Sequence, residues 1–107
     1  MPPAGQKNEV WSDAHCEHLA SIMKVLGDPI RLRMISLLVA HPEGLRTRDF
    51  PPLVGIAQPT VTHHLQILIA AGFVVRWARR SPVTLVLHGW SEILDALAEL
   101  SVKPKRG

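Results

Sequence analysis

Helical spacing dominates the chain. Leu19, Ile22, Met23 and Leu26 recur every three or four residues behind Ser12 and Asp13, either of which can cap a first helix. Gly27-Asp28-Pro29 stops that helix and starts a second, with Asp28 as the cap and Pro29 in the first turn. The second helix is expected to run to about Ala40 with Leu32, Ile35, Leu38 and Val39 inward, ending before His41-Pro42 and Gly44. Thr47 can cap a third helix. Pro51-Pro52 falls inside it, and a proline beyond a first turn costs ~3 kcal/mol, so this element is expected to be short or bent and closed by Gly55. Gln58-Pro59 opens a fourth helix that reaches Ala71 and ends at Gly72.

After Gly72 the pattern changes. Residues 73–78 and 83–88, rich in Val, Leu, Thr and Trp, read as two strands joined by a turn at Arg79-Arg80-Ser81-Pro82. Trp90, Ile93, Leu94, Leu97 and Leu100 then define a last amphipathic helix that ends near Lys103-Pro104. The predicted order is ααααββα, a mainly α fold with one β-hairpin. Residues 1–11, rich in Pro, Gly and polar types, read as a flexible arm, residues 12–102 as one domain and residues 103–107 as a basic tail.

At 107 residues the chain is one domain's worth and can bury a single modest core. A single cysteine, Cys16, rules out an intrachain disulfide and a site built from several thiolates of one chain. The apolar runs are too short to span a bilayer, and MPPAGQKNEV lacks the basic-then-apolar layout of a secretory signal, so a cytoplasmic protein is expected.

Charge is unevenly placed. Residues 1–28 carry net −2, residues 29–80 net +5, residues 81–102 net −3, and the tail adds Lys103, Lys105 and Arg106. The basic centre holds Arg31, Arg33, Arg46, Arg48, Arg76, Arg79 and Arg80 against Glu43 and Asp49. A basic middle between acidic flanks suits a fold that turns its centre towards phosphates.

The fourth helix separates into two faces. Val61, Leu65, Leu68 and Gly72 fall in one narrow arc and must face the core. Thr62, His63 and Gln66 lie opposite with Pro59 and Ala70, and Thr60 and Ile67 flank them, so the outward face is polar yet uncharged. Short polar side chains approach base edges closely while neighbouring arginines supply the attraction to phosphate. His64 lies at the edge of the core arc and reads as a packing histidine.

The stretch Leu26-Gly27-Asp28-Pro29-Ile30-Arg31-Leu32-Arg33, followed by Gln58-Pro59-Thr60-Val61-Thr62-His63-His64-Leu65 and a Gly-Phe-Val-Val strand start, resembles the ArsR/SmtB family of winged helix-turn-helix repressors. The resemblance covers about residues 14–100. It implies a homodimer with the first and last helices at the interface, so that Leu19, Ile22, Trp90, Ile93, Leu94, Leu97 and Leu100 are dimerisation candidates. It implies a fourth helix in the major groove of double-stranded DNA, with Gln58, Thr60, Thr62 and His63 at the DNA. The helix face adds Gln66 to that set. Arg76, Arg79 and Arg80 on or beside the hairpin, and Arg46 and Arg48 at the third helix, are the candidate phosphate contacts. Arg31 of the Asp-Pro-x-Arg motif looks structural, with a carboxylate or neighbouring carbonyls as partners.

Family members that sense metals carry a Cys-x-Cys pair on the third helix or an Asp-x-His near the start of the last. Residues 44–50 contain neither Cys nor His, and of the last segment only His88 is a histidine, so neither site is expected. Asp13, His15, Cys16 and His18 remain as metal candidates on the first helix, with a polar first turn as the simpler account, and Cys16 could serve instead as a redox switch. Glu92, Asp95 and Glu99 share a face that reads as a solvated acidic stripe. No cofactor is expected. The expected function is a sequence-specific DNA-binding regulator, a repressor that binds a pseudo-palindromic operator as a homodimer. The competing reading is a winged-helix module that docks another protein, kept open by Pro51-Pro52 and a missing wing glycine. An enzyme is not expected, because no Ser/His/Asp arrangement or phosphate-cradling glycine loop occurs.

Overall fold

The computed structural model describes residues 10–86 and 88–101, with the side chain of His88 left aside. Five α-helices and one antiparallel hairpin follow in the order α1 (Asp13–Leu26), α2 (Pro29–Ala40), α3 (Phe50–Val54), α4 (Gln58–Ala70), β1 (Val74–Arg76), β2 (Val83–Leu85) and α5 (His88–Leu100), and a 3₁₀ turn at Thr47–Asp49 leads into α3. No helix among the described residues is long and apolar enough to cross a membrane. The expected tail, and the arm apart from Val10 and Trp11, lie outside the described residues. Trp11 is tethered, its indole Nε1 donating to Glu99 Oε2 on α5 at 3.1 Å.

Local signals set most of the boundaries. Ser12 Oγ accepts from the His15 amide at the start of α1. Asp28 caps α2, its carboxylate accepting the Ile30 and Arg31 amides at 2.8 and 3.1 Å. Pro51 and Pro52 fall in the first turn of α3, where their missing amides leave no helical bond unmade, and Gly55 ends that helix at φ +75°. Thr47 opens the 3₁₀ turn instead of capping it; the Asp49 carboxylate closes the turn by accepting the Arg46 amide at 2.8 Å.

One core joins all the elements. Met34, Phe50, Val61, Leu68, Phe73 and Val83 are completely buried, with Ile22 from α1 and Ile93 from α5 completing the cluster. The inward face of α2 differs from expectation: Met34, Ile35 and Leu38 are buried, whereas Leu32 and Val39 are 49% and 64% exposed. That helix is apolar on nearly every side, so spacing alone did not select its buried arc.

The hairpin is shorter than the two six-residue runs predicted. Val74, Val75 and Arg76 pair with Leu85, Thr84 and Val83, and Trp77 beyond them is 79% exposed. Ser81 ends the ladder early, because its hydroxyl accepts the Ala78 amide at 3.0 Å and donates to the Ala78 carbonyl at 2.6 Å, with Arg80 in the left-handed region at φ 65°. Leu45 bridges to Val83 on the other side, through bonds of 3.1 and 2.8 Å, and fastens the hairpin to the segment before α3. Gly44 makes this approach possible: a Cβ there would lie 2.6 Å from the Val83 carbonyl oxygen.

Candidate nucleic-acid interface

Helix α4 presents the two faces its sequence implies. Val61, Leu65 and Leu68 are buried, an anchorage worth roughly 1.5–3 kcal/mol for each side chain. Gln58, Thr60, His63 and Gln66 are exposed and Thr62 is half-buried. No charged side chain occurs between Gln58 and Ala70. The rotation of α4 is fixed from beneath, where Arg31 Nε donates to His64 Nδ1 at 3.1 Å and Arg31 Nη1 donates to the Val25 carbonyl at 3.0 Å. Because a guanidinium only donates, His64 Nδ1 must be the acceptor and the ring proton sits on Nε2. Arg31 thus takes a carbonyl and an imidazole as its hydrogen-bond partners. Asp28, which caps the same helix, has its carboxyl held below the usual carboxylate range, chiefly by the Arg31 backbone amide.

The arginines gather where α4 begins. Arg46, Arg48, Arg76, Arg79 and Arg80 line one recess of about 350 Å³ together with Gln58. Two side-chain bonds tie its walls: Arg46 Nη1 donates to the Arg80 carbonyl at 2.9 Å, and Arg76 Nη2 donates to Thr47 Oγ1 at 2.7 Å. Among the described residues the ion pairs are His18–Glu92 and His41–Glu43, so the arginine charge at the recess is not neutralised by carboxylates. Arg76 is not free at the hairpin tip; it is half-buried on β1, facing the 3₁₀ turn. The role of Thr47 was hidden in the sequence, because its partner lies 29 positions away and only the folded hairpin brings the two together.

Sequence candidates elsewhere separate into distinct environments. Leu19, Ile22 and Ile93 are buried within the single chain, and Trp90 packs edge-on against Phe73 at 4.9 Å between ring centres. The three remaining dimerisation candidates, Leu94, Leu97 and Leu100, are exposed by 62%, 51% and 58% along α5. On α1, His15 meets Trp11 edge-to-face, His18 Nε2 lies 3.3 Å from Glu92 Oε2, and Cys16 is exposed. Among the described residues of the single chain no three of His, Cys, Asp and Glu converge as a metal-binding group.

Comparison with known proteins meets this geometry at the same residues. The family described as bacterial regulatory proteins of the arsR family matches residues 28–75, from the cap of α2 into β1. The match is to the family's helix-turn-helix segment and spans a little under half of the chain. An uncharacterized HTH-type transcriptional regulator of Methanocaldococcus jannaschii is 40% identical over 58 residues, a match that covers 54% of this chain and 64% of that protein, just under two thirds of its length. Among solved structures, a homodimeric winged helix-turn-helix DNA-binding domain from Mycobacterium bovis, from a possible ArsR-family transcriptional regulator, superposes with a TM-score of 0.58. That likeness covers 86% of this chain and 87% of the other at 24% identity, and it is one of fold. The matched segment contains the Arg31–His64 bond, the uncharged face of α4 and, at the recess, Arg46 and Arg48.

Proposed function

We propose that the protein is a cytoplasmic, sequence-specific DNA-binding transcriptional regulator that acts as a homodimeric repressor on a pseudo-palindromic operator. One observation carries the reading: an uncharged polar helix face stands beside a recess lined by five arginines that have no carboxylate partner among the described residues. In this reading α4 enters the major groove, where Gln58, Thr60, Thr62, His63 and Gln66 meet base edges, and Arg46, Arg48, Arg76, Arg79 and Arg80 meet the flanking phosphates. The family match and the DNA-binding domain that shares the fold support it.

Self-association rests on α5. Leu94, Leu97 and Leu100 form an exposed apolar stripe that a second copy can cover about a two-fold axis, while Leu19, Ile22, Trp90 and Ile93 stiffen the helices beneath it. The metal sites of the third and last helices play no part in this reading, since residues 44–50 hold neither Cys nor His and residues 89–100 hold no His.

The test is a selection of bound fragments from a random duplex pool, followed by affinity titrations at several salt concentrations. A recurring two-fold symmetric sequence, bound with a steep salt dependence, is expected. Arg79→Ala with Arg80→Ala should lower affinity for every sequence and reduce the salt slope by about 0.9 for each phosphate no longer neutralised. A pool that never enriches, with binding indifferent to salt, would favour the protein-docking reading.

A further inference from the structure

Arg76 is held in an unusual state. Its Nη2 is bonded to Thr47, but its Nε is shut off from solvent with no acceptor among the described residues. Leaving a guanidinium underbonded and half-buried costs stability, and such a group calls for an explanation. Its surroundings supply one. The recess beside it is lined by four further arginines and, among the described residues, by no acidic one. Helix α4 starts at its edge with Ala57 as N-cap, which offers no side-chain acceptor, so the positive pole of a 13-residue helix adds to the field. The walls are fixed before any ligand arrives, by the Arg46–Arg80 and Arg76–Thr47 bonds and by the Leu45–Val83 bridge.

We propose that this recess is a preformed seat for one phosphoryl group, taken from a DNA backbone phosphate or from a free phosphorylated molecule, with Thr47 positioning Arg76 inside it. A phosphate oxygen matches the fork of an arginine in a way a diffuse basic surface does not. The duplex form of this inference rests on the DNA-binding reading above; the free-ligand form does not. Thr47 makes the idea separable from general charge attraction, because replacing it leaves the net charge unchanged.

Pyrophosphate is the first probe, titrated into the full chain at low ionic strength while the arginine side-chain Nε–H resonances are followed. Saturable binding with a shift of the Arg76 resonance is expected. Thr47→Val should weaken it about tenfold, Thr47→Ser should restore it, and Arg76→Lys should weaken it by a similar factor despite keeping the charge. The second probe is a bound duplex with single methylphosphonates placed in turn along each half-site. One position should dominate for the wild type and lose its dominance in Thr47→Val. A response to pyrophosphate alone assigns the seat to a free ligand, and a response to one methylphosphonate alone assigns it to duplex. Thr47→Val behaving like the wild type with both probes overturns the proposal, even if duplex binding itself persists. If Thr47→Val fails to fold, Arg76→Lys carries the same comparison. Failure of every duplex to bind, with pyrophosphate still seated, would count against the DNA reading and leave the seat in place.

Discussion

Arg31 on α2 donates through Nε to Nδ1 of His64 on α4, 3.1 Å away and 33 positions along the chain. His64 directly follows the exposed His63 on α4, with 6.1 Å between their ring centres, so the bond helps set which side chains the helix presents to solvent. Arg31→Ala removes this bond and the one to the Val25 carbonyl. It should lower stability by about 1.5–3 kcal/mol, read from the denaturant midpoint at unchanged m-value. His64→Ala should lose less, since Arg31 retains Val25.

The cap of α2 predicts a pH dependence. The Asp28 carboxyl is held below its usual value chiefly by the Arg31 amide, with the Ile30 amide and the Arg31 guanidinium adding to the effect against an opposing desolvation. A carboxyl with a lowered folded value stabilises the fold above its ordinary unfolded value, and that contribution disappears as pH falls through the folded one. Stability should therefore rise with pH from about 3 to 5. Asp28→Asn, which keeps a capping oxygen, should flatten that rise; Asp28→Ala should cost about 1 kcal/mol at neutral pH. Thermal melts across this range check both.

Arg80 places a bulky residue at φ 65°, where glycine is the easier occupant. Arg80→Gly should leave stability unchanged or raise it by up to about 1 kcal/mol, because the Arg46 bond reaches only its backbone carbonyl. The same variant should bind duplex more weakly. A gain in melting temperature paired with a loss of affinity would mark this arginine as kept for binding.

The α5 stripe can be tested apart from DNA. Leu97→Glu places a charge in the middle of the three exposed leucines, where it should yield a folded monomer by sedimentation equilibrium. Leu32→Glu, on an exposed residue of α2, should leave the mass unchanged.

Much of this was legible in the residues. The cap Asp28, the prolines in first turns and Gly55 all act through near neighbours, so the sequence carries their meaning directly. The face of α4 was legible too, because its apolar residues occupy one narrow arc. The buried side of α2 was not, since a helix apolar on most sides leaves the choice to whatever packs against it. The early end of the hairpin depends on one serine hydroxyl meeting Ala78 across the turn. The recess was only half visible: the arginines could be counted, but the pairing of Arg76 with Thr47, and of Arg46 with the Arg80 carbonyl, exists only once the hairpin folds back.

The central claim is that the uncharged face of α4 reads bases. The most direct measurement is the affinity of the wild type and His63→Ala for a selected duplex and for a scrambled one of equal length, at one salt concentration. We predict a loss of about 10- to 100-fold on the selected duplex and little change on the scrambled one. An equal loss on both, or none on either, would contradict the account.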